Sequence, residues 1–558
     1  MKRILCLIIS LVLSVSLIGC GAHTQQAVND VNTVDADTVD ADEADADTTD
    51  TDADAANADE IKADSADDAT DEVNELRSKL LALPNVESVE LLSGDDGEYL
   101  AQYMITFIQP LDWTDLSKGT FPQRVLLAYK GEDHYNSFEV SGYCLTDIMV
   151  PGTPAIAGRG ELSFMFNCNC IMMEYRYFGQ SKPGNAEEDC DKAEYWDYMT
   201  SANANSDFSN IIHSIQTILP GKSLFSGVSK GGYSTNVFCM YENDDSFAAE
   251  YKKSVMNYGK WDNDEQYEPM IDAYVSYDAP LCDGPQDPRF MKNLFETIGD
   301  QGYDAQTAQE YRNLVMEFMI EALKNRNQIQ DWYYQKCLDD GNELRPYCTK
   351  EILYDVAVLE FATQFWQYGS DFSIIENVLS MPKEDDPDTE IDEADEYLKQ
   401  IYELILSMNN PSTWSPSGAA YPYYVQATLE MGEHSLDFSY LRKELAARGL
   451  EDCLFVTEEM ENNLLQKMAF SEDMLNHFAY SSELRDTIIE WAKTTTAPIM
   501  QIQGGCDTWN AVSLSTDDNP AFCTYVSKAG THMTIISTLS PEDRDECITK
   551  LKKWLEIE

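Results

Sequence analysis

The residues that most clearly could do chemistry are Ser226-Gly227-Val228-Ser229-Lys230-Gly231-Gly232. They contain the pattern Gly-x-Ser-x-Gly. A serine presented on a tight strand-to-helix turn needs glycines two positions before and after it, because side chains at Gly227 and Gly231 would collide there. Such a turn lifts the Ser229 hydroxyl above the sheet. It also points the Lys230 backbone N–H at the place where an oxyanion would form, at the start of a helix. The surroundings supply the context: Ser223–Ser226 reads as a strand, and a helix follows Ser229.

A serine hydroxyl of ordinary acidity needs a base. The chain has only six histidines, so elimination is informative. His23 lies in a low-complexity leader, and His134 and His213 precede the serine, whereas this turn belongs to sheets that order their triad serine, acid, histidine. His434 and His477 fall in a helical stretch. His532, in Gly530-Thr531-His532, follows the last strand signal and is the expected base. The acid should lie just beyond a strand between the two. Ala497–Gln503 reads as that strand and Asp507 follows it, placed to hold the imidazole tautomer and stabilise the imidazolium. Asp517 and Asp518 are rivals, but Thr516-Asp517-Asp518-Asn519-Pro520 has the composition of an exposed turn.

These groups need a sheet to position them, and the chain alternates accordingly. Val86–Leu92, Tyr99–Ile108, Arg124–Tyr129, Ser137–Val140, Asn169–Tyr175 and Val275–Tyr277 read as strands, the fifth as a buried apolar run. Leu162–Phe166 lies in a helical stretch, and Asp207–Leu219 has apolar residues at helical spacing, closed by Pro220-Gly221. Residues 290–328, 351–368, 388–409, 420–432, 437–448 and 457–493 are rich in helix formers. Strand character returns at Ala497–Gln503 and Tyr525-Val526, and Pro541–Ile557 reads as a closing helix. The expected class is α/β: an α/β-hydrolase sheet interrupted by a large helical cap, with hydrolase parts at 76–282 and 491–558 and the cap at 283–490.

The N-terminus describes a location. Lys2 and Arg3 precede an apolar run that ends in Leu17-Ile18-Gly19-Cys20. This is a secretory signal, too short for a usual membrane span, with a bacterial lipobox at its end. Residues 1–19 are the expected signal peptide and Cys20 the lipidated new N-terminus. Residues 20–75 form an acidic linker: eighteen Asp or Glu stand between Asp30 and Glu72 against Lys62 alone. It has too little apolar surface to fold and reads as a solvated spacer rather than a calcium site. The net charge of −61 leaves about −46 on the residues after it, which excludes nucleic acid as a partner class. Twelve cysteines follow Cys20, an even number in an oxidising compartment, with Cys337–Cys348 and Cys506–Cys523 as the nearest local pairs. There is no Cys-x-x-Cys pair, and neither a metal nor another cofactor is expected.

Three blocks extend the reading: Gln109-Pro110-Leu111-Asp112-Trp113 with Gly119-Thr120-Phe121-Pro122-Gln123-Arg124; Glu174-Tyr175-Arg176-Tyr177-Phe178-Gly179-Gln180-Ser181-Lys182-Pro183; and Trp196 with Asp207, leading into the serine motif. Over about residues 100–540 the chain resembles the secreted bacterial tripeptidyl and prolyl aminopeptidases, serine peptidases distantly akin to lysosomal Pro-X carboxypeptidase. Tyr274–Asp283 and Gln426-Ala427 with Glu430 and Gly432 are similar as well. The resemblance implies a capped α/β-hydrolase that cleaves short peptides bearing a free N-terminus, with Ser229, Asp507 and His532 on the triad positions. One departure is Asp507-Thr508-Trp509, where the family has Asp-Pro-Trp. The second oxyanion donor is expected from Gly142 or Tyr143. Glu174 and Glu430 are the candidate carboxylates for a protonated amine. An esterase on the same scaffold is the alternative, and a binding lipoprotein with a dead site is disfavoured by the intact Ser, Asp and His. The sequence does not set an oligomeric state.

Overall fold

The computed structural model describes residues 71–145, 160–261, 267–369, 371–383, 391–409, 415, 418–516 and 519–557. The expected signal peptide, Cys20 and nearly all of the acidic linker lie outside them, as do Asp517 and Asp518. Among the described residues no helix is long and apolar enough to cross a membrane.

Among the described residues nine strands form one sheet: β1 Val86–Ser93, β2 Ala101–Pro110, β3 Thr120–Tyr129, β4 Asn136–Val140, β5 Asn169–Met173, β6 Ser223–Val228, β7 Ala273–Tyr277, β8 Ile499–Gly504 and β9 Cys523–Ser527. Their order is β1-β2-β3-β5-β4-β6-β7-β8-β9. The pairs β1–β2, β2–β3 and β3–β5 are antiparallel, and all pairs from β5–β4 to β8–β9 are parallel. An antiparallel start, one exchange of neighbouring strands and a long parallel run make this an α/β-hydrolase sheet. β3 begins four residues before the expected Arg124, because its pairing with β2 continues to Pro110↔Thr120. Pro122 is tolerated there because β5 pairs only with Val125–Ala128, so the missing N–H leaves no second ladder broken.

The parallel strands are apolar on both faces. Phe225, Tyr274 and Ile499 point into a core shared with Phe208, Ile211 and Ile215 of α2 (Ser201–Gln216) and Val237 and Phe238 of α3 (Lys230–Asn243). Their neighbours Leu224, Val275, Met500 and Ile502 point the other way, toward Leu162 of α1 (Glu161–Phe166) and Cys547 and Leu551 of α8 (Pro541–Trp554). Each such side chain contributes about 1.5–3 kcal/mol of burial. α2 starts six residues before the expected Asp207. Its first turn is polar, but Thr200 caps it, and Asn203 accepts the Trp113 N–H at 3.0 Å. Tertiary bonds there override weak propensity.

Between β7 and β8 the chain is helical. α4 (Ala305–Lys324), α5 (Arg326–Asp339), α6 (Lys350–Gln367) and α7 (Ile391–Met408) build a second core around Phe318, Phe361 and Ile401. The long helical stretches expected at 290–328 and 457–493 are broken. The first breaks before Asp304, whose side chain caps α4. The second is split into Glu458–Glu461, Leu464–Ala469, Glu472–His477 and Glu483–Ala492. Tyr421, Met431, Phe470 and Ile488 pack with the sheet's core rather than the cap's own.

All twelve described cysteines are free thiols, which corrects the expected pairs Cys337–Cys348 and Cys506–Cys523. Cys348 Sγ donates to Met468 O at 3.3 Å, Cys506 Sγ to Lys528 O at 3.6 Å, and Cys523 Sγ accepts from Lys550 Nζ at 2.8 Å. Eight of the twelve are buried, where burial pushes thiols such as Cys337 and Cys348 up to about 12 and keeps them inert.

Candidate active site

Ser229 joins β6 to α3 with φ 58° and ψ −122°, a strained conformation for a residue with a side chain. Its N–H donates to Tyr277 O at 2.9 Å, and its carbonyl accepts from Tyr233 N–H at 2.9 Å, so sheet and helix both fix it. A Cβ on Gly227 would stand 2.5 Å from Gly231 C, and one on Gly231 would stand 2.6 Å from Val140 O. These are the two glycines the motif requires. A third is needed at Gly232, where a Cβ would press on Tyr277 O and stand 3.0 Å from Ala279 Cβ.

Lys230 opens α3, so its N–H has no partner inside the helix and faces the nucleophile turn. Gly142, at φ 72°, packs against that turn, and a Cβ there would stand 2.5 Å from Gly231 N. Tyr143 N–H donates to Ser141 Oγ at 3.2 Å, whereas the Gly142 N–H has no acceptor among the described residues. Of the two amides expected to complete an oxyanion hole, Gly142's is therefore the uncommitted one. The Tyr143 ring instead packs on Phe178 and Tyr423, at centroid distances of 5.5 and 6.1 Å. The Lys230 ammonium is buried 3.0 Å over the Tyr175 ring with no hydrogen bond among the described residues, and burial drives its pKa well below the usual lysine range.

Asp507 and His532 meet at the carboxyl ends of β8 and β9. Asp507 caps a short 3₁₀ turn, Thr508–Val512, accepting the Trp509 N–H on Oδ1 at 3.2 Å. Its Oδ2 lies 2.8 Å from His532 Nδ1. The loops approach this closely because Gly504 and Gly505 lack side chains: a Cβ on Gly504 would stand 2.7 Å from Gly530 O, and one on Gly505 3.0 Å from Lys528 C. His532 N–H donates to Gln367 O of α6 at 3.0 Å, so the cap helps hold the base. Burial disfavours the imidazolium, but the Asp507 carboxylate more than offsets this and holds the His532 pKa above its ordinary 6.5. Ser229 Oγ and His532 Nε2 share no hydrogen bond among the described residues. That contact commonly tightens only with substrate bound. Thr508, the departure from the family's Asp-Pro-Trp, is buried with no hydrogen-bond partner for its hydroxyl among the described residues.

The other described histidines are engaged elsewhere. His134 bonds Asn167 O, His213 stacks on Trp261, and His477 pairs with Asp197. His434 sits between Glu433 and Glu360, at 2.6 and 2.9 Å. Burial opposes its charge, but Glu360 and Glu433 push its pKa up to about 10. Phe290 stacks on the same ring and Trp509 meets it edge-on, tying the cap to the turn after Asp507.

The candidate amine ligands separate. Glu174 is fully buried, and its carboxylate accepts from Arg124 Nη2 at 2.8 Å and Nε at 3.1 Å, Leu145 N–H at 2.9 Å, Gln180 N–H at 3.1 Å and Ser181 Oγ at 2.6 Å. A carboxylate has about four acceptor sites, so Glu174 has none left for substrate and instead pins the 174–181 loop. Arg176 does not pair with it. Arg176 pairs with Asp207 at 2.7 and 2.8 Å, both fully buried, and Trp113 Nε1 donates to the same carboxylate at 2.8 Å. The blocks that carried the resemblance are thus scaffold around the nucleophile turn. Glu430 differs. It lies in a π-helical turn, Ala427–Met431, half-buried, and its Oε1 takes Ser201 N–H, Ser201 Oγ and Gln426 Nε2 at 2.6, 2.6 and 2.9 Å. No described residue donates to its Oε2. Burial raises its pKa, and the Lys230 ammonium acts in the opposite sense.

The sheet and these side chains define a serine hydrolase of the α/β-hydrolase class. Residues 69–264 match the family model of the PS-10 peptidase S37 group. The chain is 22% identical over 487 residues to the prolyl tri/tetrapeptidyl aminopeptidase of Streptomyces mobaraensis, covering 86% of this chain and 85% of that one. It is a serine peptidase, similar to that group over residues 69–264. Among solved structures, the proline iminopeptidase of Mycobacterium smegmatis aligns at 12% identity and TM-score 0.32, over 81% of this chain and 98% of its own. The esterase LipA of Xanthomonas oryzae aligns at 11% and 0.30, over 84% and 97%. Likenesses at these scores add nothing to the strand order.

One residue of the site, inside the Tyr274–Asp283 stretch, is not singled out in the sequence. Asp278, the first residue after β7, lies with Asp507 and His532 in a group whose ligand atoms are all within 4.8 Å of one another.

Proposed function

We propose that the protein is a serine exopeptidase that removes short peptides from the free N-terminus of its substrates, with Ser229, Asp507 and His532 as its triad. The observation that carries this is the 2.8 Å Asp507–His532 bond at the same sheet edge as the strained Ser229 turn. Ser229 Oγ attacks the scissile carbonyl while His532 Nε2 takes its proton. Asp507 holds Nδ1–H and stabilises the imidazolium. The oxyanion is received by the Lys230 N–H and, from across the turn, by the Gly142 amide. His532 then protonates the leaving amine, and water repeats the sequence on the acyl-enzyme. Glu430, with one carboxylate oxygen uncommitted, is suited to the protonated N-terminus of the substrate. The signal-like leader and Cys20 support a lipid-anchored protein outside the cytoplasm, held off the membrane by the acidic linker.

The test is hydrolysis of fluorogenic Ala-Ala-Pro substrates, free and N-blocked, beside a short-chain ester. Cleavage of the free-amine peptide alone, abolished in Ser229→Ala, is the expected result. Equal cleavage of the blocked peptide overturns the N-terminal requirement, and ester hydrolysis without peptide cleavage makes the protein an esterase.

A further inference from the structure

Asp278 is 3% exposed and sits at φ 44°, a left-handed conformation that aspartate tolerates better than most residues. The turn is forced there. Tyr277 O, one residue earlier, is committed to Ser229 N–H, and Asp278 N–H to Ile502 O at 2.9 Å. Its Oδ1 accepts the Gly504 N–H at 2.9 Å, which joins the end of β7 to the acid loop. Its Oδ2 is buried and makes no hydrogen bond of ordinary geometry among the described residues; the Thr534 N–H, which faces the carboxyl, donates to Thr531 O. The charged groups facing it are Asp507 and His532. Two buried carboxyls therefore share a single cationic partner. Two negative charges at that separation in a dry site repel strongly, so the pair retains one proton. Burial and the Asp507 charge both push the Asp278 carboxyl well above the usual carboxylate range, which puts the proton on Asp278.

We propose that Asp278 is the second carboxyl of a pair that orients His532, the pair carrying one negative charge that resides on Asp507 and passes to Asp278 when Asp507 cannot ionise. Asp278 is a positioning residue: it touches no substrate and acts through the imidazole. In the resting enzyme its neutral carboxyl stands beside the Asp507–His532 contact. When position 507 is made neutral, Asp278 loses its proton to solvent. Its carboxylate then faces the imidazole within 4.8 Å, a separation that a small side-chain rotation closes to a hydrogen bond. The orphaned Oδ2 is the atom free to make it.

This inference rests on the triad reading above, and the experiment separates the two. The full mature chain is assayed as wild type, Ser229→Ala, Asp507→Asn, Asp278→Asn and the Asp278→Asn/Asp507→Asn double variant. Turnover of the free-amine peptide is followed across pH, with thermal melting as the folding control. Loss of turnover in Ser229→Ala upholds the triad reading by itself. Removing a lone triad acid lowers kcat about 10⁴-fold. With Asp278 in reserve, Asp507→Asn falls only about 10- to 100-fold, with KM little changed and kcat climbing as pH rises through the Asp278 ionisation. Asp278→Asn falls a few-fold. The double variant falls about 10⁴-fold, far more than the product of the two single losses. A structural Asp278 would give multiplying losses and no new pH dependence in Asp507→Asn. Either of those results, or an Asp507→Asn already as dead as the double variant, overturns the proposal. If Asp278→Asn does not fold, the pH profile of Asp507→Asn decides alone: a second rising limb besides the one His532 gives the wild type supports the proposal, and a profile with the His532 limb only overturns it.

Discussion

Adding one methyl group at Gly227 tests whether the nucleophile turn is held as tightly as its geometry requires. The new Cβ would stand 2.5 Å from Gly231 C and 2.8 Å from Val140 Cγ1, where ordinary contact begins at 3.4 Å. The first of those atoms is backbone of α3, so the methyl is accommodated only if the start of the helix retreats by roughly 1 Å. Overpacking of this kind destabilises by about 1–3 kcal/mol. At about 2–4 °C per kcal/mol, the apparent Tm of Gly227→Ala should fall by several degrees. The larger effect should be on rate. A displacement of about 1 Å carries Ser229 Oγ and the Lys230 N–H out of register with His532, and misplacement on that scale lowers kcat about 100-fold. Gly94→Ala is the control, since Gly94 has open space around it and no left-handed φ. Melting by circular dichroism and kcat on the free-amine peptide measure both effects. A Gly227→Ala protein as stable and as active as Gly94→Ala would refute the steric account of the turn.

Four further outcomes follow. Arg176→Ala strands the Asp207 carboxylate in a fully buried site, and loss of one partner of such a pair should destabilise by about 3–5 kcal/mol, read as a drop in Tm or in soluble yield. Glu430→Gln should raise KM for the free-amine peptide about 10- to 100-fold, the worth of a charged hydrogen bond, and leave hydrolysis of a short ester unchanged. The His532 imidazole must be neutral to act as base and its pKa is raised, so kcat/KM should fall as pH drops through a value above 6.5; a limb below 6.5 would contradict the Asp507 contact. His434 has a folded pKa of about 10 against 6.5 unfolded, so its ion pairs stabilise fully below pH 6.5 and are lost as pH rises through 10. Trp509 fluorescence should report that loosening between those values, and His434→Gln should remove the pH dependence.

Ser229 was legible because its turn is written locally: three glycines and a strand-to-helix change sit within seven residues. The parallel strands were legible because both faces are buried, which leaves near-continuous apolar runs such as Asn169–Met173. His532 and Asp507 needed only the rule that this sheet places its acid and base after later strands. What the sequence hid is what distant segments do to one another. Glu174 reads as a candidate amine ligand in Glu-Tyr-Arg, yet its true partner Arg124 lies fifty residues away, while its near neighbour Arg176 turns to Asp207. Asp278 lies in the Tyr274–Asp283 stretch without a catalytic pattern of its own, and its role arises only where β7 ends beside β8. The first turn of α2 looks too polar for a helix until Trp113 and Glu430 supply partners for Asn203 and Ser201. The cysteine count suggested bridges because spacing says nothing of where each side chain points.

The proposed catalysis requires Ser229 to be the one hydroxyl that His532 activates. Reaction of the purified protein with a fluorophosphonate, followed by peptide mapping, tests this directly. The adduct should be found on Ser229 alone, and His532→Ala should slow its formation by orders of magnitude. An adduct on another residue, or undiminished peptide hydrolysis after complete modification of Ser229, would contradict it.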